Sequence, residues 1–467
     1  MENFRECSPG SGFLEVRERE LGLCRPVVFT RRAGGSETLV KRLNLYAKLK
    51  GHEGCVNTVH FNPSGDLLAS GSDDKQVIFW NWAVKSKKLS YHSGHSDNVF
   101  QARIMPFTDD KKVITSAADG QVRVGQISDD GRVHTKKLGT HQGRAHKLAI
   151  EPGSPYIFYS CGEDGYVQHF DLRSTSATKL FLCSSPTESR RPVGLNAIVM
   201  DPRNPHYFSV GGLDEYARVY DIRNYRWDST VDGDHPVNKF SPRHLTDSAK
   251  VNITGLAYSR KSELLVSYND ELIYLFPKDM DASQDPQVYS GHRNSQTVKG
   301  VSFFGPNDEY VVSGSDCGHV FVWKKKGGEL VRLMVGDKNI VNCIEPHPHV
   351  PFLATSGLEK NIKLWMPIAK KAGPALPSNV EEIMELNKRG REDHPRITLS
   401  PDVIMHVLRL QRRRALAFIE RREPGSAADN DDDDDDGDDE GEAFILGFTE
   451  SDDASGAEFN PSGCSIC

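Results

Sequence analysis

GHEGCVNTVHFNPSGDLLASGSDDKQVIFW, residues 51–80, holds the pattern that decides the fold. It opens on Gly51-His52, passes through the small-residue run Ala69-Ser70-Gly71-Ser72, turns at Asp73-Asp74, and closes on the alternating strand Val77-Ile78-Phe79-Trp80. An aromatic ends that strand six positions after Asp74. The same register recurs along the chain. Asp164 stands six before Phe170, Asp214 before Tyr220, Asp270 before Phe276, Cys317 before Trp323 and Glu359 before Trp365. Asp119 fits as well, with Gly125 where the aromatic should be. Successive turn residues are 45, 45, 50, 56, 47 and 42 positions apart. A period of roughly 40–45 residues with four strands per unit is the signature of WD40 repeats.

One four-stranded unit cannot bury both of its faces. Packing units radially buries them and leaves only short, protected edges. Seven turn positions therefore predict an all-β, seven-bladed WD40 β-propeller over 37–367, closed by joining its ends. The alternating segment from Leu39 to Leu49 is expected to complete the blade that ends at Trp365. The longer gaps fall at 174–193 and 224–250, both polar, and are expected to be loop insertions. Gly51-His52, Gly94-His95 and Gly291-His292, with the degenerate Thr140-His141, stand upstream of turn residues. His52, His95 and His292 are expected to brace blades structurally, the first two against Asp74 and Asp119, because an imidazole–carboxylate bond survives burial.

Composition bounds the function. The net charge of −7 is concentrated between Asp429 and Glu442, which holds 11 acidic side chains and no basic one. The remainder is near neutral, so direct nucleic-acid binding is not expected. Nine cysteines are scattered without a disulfide spacing; this points to a reducing compartment, nucleus and cytoplasm. Met1-Glu2-Asn3-Phe4-Arg5-Glu6 lacks the apolar run of a signal peptide, and no apolar run long enough to span a bilayer occurs. There is no phosphate-binding loop, dinucleotide fingerprint or HExxH zinc motif. Glu345-Pro346-His347-Pro348-His349 looks ligand-like, but its prolines mark a turn between strands. No catalytic residue, cofactor or metal is expected.

The flanks carry signals of their own. Phe13, Leu14, Val16 and Leu21 line a short helix that Gly22 stops, either resting on the propeller or ordering on a partner. Residues 371–379 are linker-like, and Val380 to Lys388 reads as a second short helix. Ser400-Pro401-Asp402 starts a basic helix running to Arg422, open to an import, partner-docking or membrane-surface role, with docking or import favoured beside the acidic run. The acidic tail is expected to be disordered by self-repulsion. Cys464-Ser465-Ile466-Cys467 fits a prenylation box with Cys464 as acceptor, although Cys467 is an unusual last residue; membrane contact is expected only if Cys464 is modified. The expected organisation is an N-terminal segment over 1–36, the propeller, a linker and basic helix over 368–424, and the tail over 425–467.

Two neighbouring repeats end alike: FYSCGEDGYVQHFDLR from Phe158 to Arg173, and FSVGGLDEYARVYDIR from Phe208 to Arg223. Both close on aromatic-Asp-x-Arg. This resembles the box of WD40 substrate receptors of cullin-4 RING ubiquitin ligases, with Phe170 and Tyr220 in place of the usual tryptophan. The stretches Gly54–Asn62, Ser96–Ala102, Ser267–Asp270 and Gly314–His319 are similar to one subfamily, the DDB-one- and cullin-four-associated factors numbered eight. The resemblance implies a non-catalytic receptor that links unidentified protein substrates to the ligase. Asp171, Arg173, Asp221 and Arg223 would then face the adaptor, damage-specific DNA-binding protein 1, and Phe13–Leu21 would anchor in its cleft. Two other readings stand beside this. The Asp-x-Arg pairs also suit a purely bracing role, and the propeller a general scaffold without a ligase link.

Overall fold

The computed structural model describes residues 12–174, 176–185, 191–225, 234–246, 251–280, 284–370 and 376–392. Three short helices come first: α1 (Gly12–Glu20), α2 (Pro26–Gly34) and α3 (Glu37–Lys41). Gly22 takes φ +72°, a left-handed conformation that ends α1 at little cost. The expected strand over Leu39–Leu49 is corrected here. Its first residues belong to α3, where Val40 is fully buried against the sixth blade, and β1 (Asn44–Lys50) begins only afterwards.

Seven four-stranded antiparallel blades follow. Blade one comprises β2 (Val56–Phe61), β3 (Leu67–Ser72), β4 (Gln76–Asn81) and β5 (Ser86–His92). Blade two comprises β6 (Val99–Ile104), β7 (Lys112–Ala117), β8 (Gln121–Ile127) and β9 (Val133–Thr140). Blade three comprises β10 (Ala145–Ile150), β11 (Ile157–Gly162), β12 (Tyr166–Asp171) and β13 (Thr178–Leu182). Blade four comprises β14 (Leu195–Met200), β15 (Tyr207–Gly212), β16 (Ala217–Asp221) and β17 (Asn238–Phe240). Blade five comprises β18 (Ile253–Tyr258), β19 (Leu264–Tyr268), β20 (Ile273–Phe276) and β21 (Gln287–Tyr289). Blade six comprises β22 (Val301–Phe304), β23 (Tyr310–Gly314), β24 (His319–Lys324) and β25 (Leu330–Val335). Blade seven takes β26 (Val341–Pro346), β27 (Leu353–Gly357) and β28 (Asn361–Met366) and closes on β1, with Leu45 opposite Trp365. That closure is the one the sequence predicts. The presumed insertions, in contrast, contain β13 and β17, the outer strands of blades three and four. A helix over Val380–Glu392, α4, packs Val380 and Ile383 against the core between blades five and six.

Burial explains the ring. The apolar core forms seven clusters, and each joins two neighbouring blades; Phe170 and Phe158 with Ile114 and Val122, for instance, lie between blades two and three. No blade owns a core, so a missing blade would expose two apolar faces. Gly125 also finds its reason here: a side chain at that position would sit 2.7 Å from the hydroxyl of Tyr91 in the preceding blade.

Candidate protein-interaction site

Each blade carries polar groups at both ends of its third strand, and the two ends do different work. In β12, Asp164 precedes the strand and Asp171 ends it, so they stand about 20 Å apart at 3.3 Å per residue.

The turn end holds the fold together. His52 Nδ1 lies 2.9 Å from Asp74, and its Nε2 lies 2.7 Å from Ser70 Oγ, which also accepts the indole N–H of Trp80 at 2.9 Å. His95 pairs with Asp119 at 3.0 Å and with Thr115 at 2.8 Å. The degenerate copy is complete: His141 reaches Asp164 at 2.8 Å and Ser160 at 2.7 Å. Burial would raise the Asp74 carboxyl, but the bond from His52 and the backbone N–H groups of Glu53 and Gln76 outweigh it and hold the group at about 2. Asp119 is held at about 2 by the same balance.

His292 departs from that expectation. Its blade has Cys317 in the turn position, and neither ring nitrogen has a hydrogen-bond partner among the described residues. The ring is fully buried, edge-on to Trp323 at 5.7 Å, and burial lowers its pKa to about 3, helped by Arg391 and Lys299. Here α4 ties down the backbone and turn beside the unpartnered ring: the Asn387 amide donates to Gly291 O at 2.8 Å and to Cys317 Sγ at 3.3 Å. Blades four, six and seven use buried cations that the sequence pattern did not flag. Arg218 clasps Asp214, Lys299 pairs with Asp316, and Lys363 pairs with Asp337 and Glu359. The His347 and His349 rings meet the carbonyls of Gly65 and Pro63 at 2.8 and 2.9 Å. No group of metal-ligating side chains occurs among the described residues.

The opposite end carries the Asp-x-Arg boxes, which are built almost identically. The guanidinium of Arg173 donates to both oxygens of Asp171, Nε at 2.9 Å and Nη2 at 2.7 Å, while the Arg173 backbone N–H donates at 2.9 Å. Arg223 grips Asp221 with Nε at 2.9 Å and Nη2 at 2.6 Å. Each arginine depresses the pKa of its aspartate through these bonds. The planar fork is thus spent within the box, which fixes the arginine rather than leaving it mobile. Even so, 60% of the Arg173 side chain and 57% of the Arg223 side chain remain exposed. Each guanidinium also lies over a tyrosine, Arg173 4.9 Å from the ring centroid of Tyr156 and Arg223 5.9 Å from that of Tyr207. The result is a pair of preorganised cationic planes on adjacent blades. Between them runs an open cleft of about 440 Å³ lined by Asp171, Arg223, His169, His206, Tyr159 and Tyr225.

The tyrosines and the cleft were invisible to motif reading. Tyr207 faces Asp221 across the β15–β16 ladder, and the Tyr156 carbonyl accepts the Leu172 N–H. A signal exists only once hairpin register is known. In α1, Val16 is 44% exposed, and beyond it Leu21 is 61% exposed; α1 packs on α2, with Arg19 over Phe29 at 4.7 Å. The side chains of Phe13 and Leu14 lie outside the described residues, as do the basic helix over 400–422, the acidic tail and Cys464. Among the described residues no helix is long and apolar enough to cross a membrane.

The fold is that of a seven-bladed β-propeller carrying WD40 repeats. The family model "WD domain, G-beta repeat" matches residues 43–81, 284–324 and 328–366. Over 297 residues, 61% of the chain, it is 35% identical to mouse "DDB1- and CUL4-associated factor 6" and 34% identical to the human protein of that name. It is 31% identical over 298 residues to mouse "WD and tetratricopeptide repeats protein 1". The matches cover 33%, 34% and 43% of those proteins, so the chain spans well under half of the relatives it resembles.

Proposed function

We propose that this chain is a non-catalytic substrate receptor of a cullin-4 RING ubiquitin ligase, held by damage-specific DNA-binding protein 1 through the Asp-x-Arg face. We place it in the subfamily numbered eight on the stretches quoted above. One observation carries the reading: two superposable Asp-x-Arg-over-tyrosine units on neighbouring blades, each exposing a locked guanidinium. Arginines on a rigid support, flanked by aromatic rings, are the usual energetic anchors of protein interfaces. The names of the factor 6 relatives support the choice of partner. The exposed Val16 and Leu21 suit α1 as a second anchor that docks by apolar side chains. The receptor contributes proximity, bringing a bound protein substrate to a transferase carried by other subunits. It works in the nucleus and cytoplasm.

The test is co-purification from cells, with partners identified by mass spectrometry, of the intact chain and an Arg173→Ala/Arg223→Ala variant. Adaptor and cullin-4 are expected with the intact chain and not with the folded variant. Their absence from both would leave a WD40 scaffold without a ligase link.

A further inference from the structure

The innermost strands follow one another around the ring axis, β2, β6, β10, β14, β18, β22 and β26. Their pairing registers bring one residue from each to a common level: His60, Arg103, Ala149, Val199, Ala257, Ser302 and Glu345. Four of the seven are small, which leaves room at this level. The ionisable ones, Glu345, His60 and Arg103, are contiguous, on blades seven, one and two. Lys147 stands two residues before Ala149 on the same side of β10.

These charges do not balance. Glu345 is the single carboxylate of the group, and its Oε1 lies 3.9 Å from His60 Nε2. Neither Arg103 nor Lys147 forms an ion pair among the described residues, and Arg103 Nε is buried without a hydrogen-bond partner. Burial pushes the Lys147 ammonium down, helped by Arg103 and opposed by Glu345, and pushes the Glu345 carboxyl up to about 7 against the pull of Arg103 and Lys147. Where the fold buries Arg218, Lys299 and Lys363, by contrast, a carboxylate sits on each head group. A cation taken from water without a partner is costly. The level is also reachable, since a cleft of about 220 Å³ between blades six and seven is lined by Ser302 and Glu345.

We propose that Arg103 and Lys147 form an axial binding site for a small tetrahedral oxyanion of the phosphate class. The anion supplies the negative charge that the protein omits, and Arg103 holds it with its free guanidinium donors. The site is independent of the Asp-x-Arg face.

The test uses the full chain and inorganic phosphate, read by thermal melting at constant ionic strength against chloride and by equilibrium dialysis. Wild type is expected to show a saturable rise of a few degrees in Tm and one bound phosphate. Arg103→Met and Lys147→Met should each lose both signals, and in chloride should melt no lower than wild type, because each removes an unpaired charge. A control variant at the exposed Arg132 should behave as wild type. Phosphate binding retained in both Met variants, an absent or unsaturable response in wild type, or Met variants that unfold in chloride would overturn the assignment.

Discussion

Blades one to three and blades four, six and seven solve the same problem differently. In the first group a histidine from the connection between blades bonds a turn aspartate, and a hydroxyl accepts or donates at the other ring nitrogen. In the second, a lysine or arginine takes the carboxylate, Arg218 and Lys363 from within β16 and β28 and Lys299 from just before β22, and all three are almost fully buried. The His–Asp units have outside connections and leave recognisable pairs in the sequence. The Lys/Arg units hide in or beside strands, where a charged residue ordinarily reads as solvent-facing. The contrast shows that the repeat conserves an electrostatic position, a capped turn carboxylate, more strictly than any residue type.

The comparison breaks most visibly on substitution of one partner. Asp316→Asn strands the Lys299 ammonium in a site with no accessible surface, so a loss of about 3–5 kcal/mol is expected, read by chemical denaturation. Asp74→Ala should cost less, about 1–3 kcal/mol, since His52 keeps its bond to Ser70. Equal losses at the two sites would mean that the two devices are energetically interchangeable.

Acid separates them further. His292 has no carboxylate and a pKa lowered to about 3 from 6.5. The unfolded chain therefore takes up the proton first, and stability present above about pH 6.5 is lost as pH falls toward 3. Asp74 and Asp119, held at about 2 rather than 3.8, contribute stability that is full above 3.8 and lost only as pH falls through 2. A His292→Leu variant should lose much of the decline in melting temperature between pH 6.5 and 4.5, whereas Asp119→Asn should leave that window alone. The same decline in His292→Leu as in wild type would assign it to other groups.

The smallest expected effect on stability is at the other end of the strands. Arg173→Ala and Arg223→Ala remove exposed guanidinium groups and should leave the melting temperature where it is.

Much of this architecture is legible in sequence because period and turn chemistry are local. Asp74, Asp119 and Asp164 fix three blades, and the small-residue strand before each turn fixes register. The closing strand was legible too, although α3 takes the residues from Glu37 to Lys41 because Val40 fits a pocket of the sixth blade that no local pattern encodes. β13 and β17 were hidden because both are short, five and three residues, and lie within polar, turn-rich stretches. His292 misled because Gly-His looks the same whether or not a carboxylate waits 25 residues on. At the candidate site, the Asp-x-Arg boxes were legible as strings. That each arginine clasps its own aspartate and covers a tyrosine depends on hairpin register, which the string does not carry.

On the proposed division of labour along the strands, turn pairs hold the fold and Asp-x-Arg units hold the adaptor. Titration of purified adaptor against wild type and Arg173→Ala/Arg223→Ala, with thermal melts of the same samples, tests it most directly. The variant is expected to lose affinity by at least about 100-fold at an unchanged melting temperature. Undiminished affinity at an unchanged melting temperature would contradict it, and so would a variant that melts as early as Asp74→Ala.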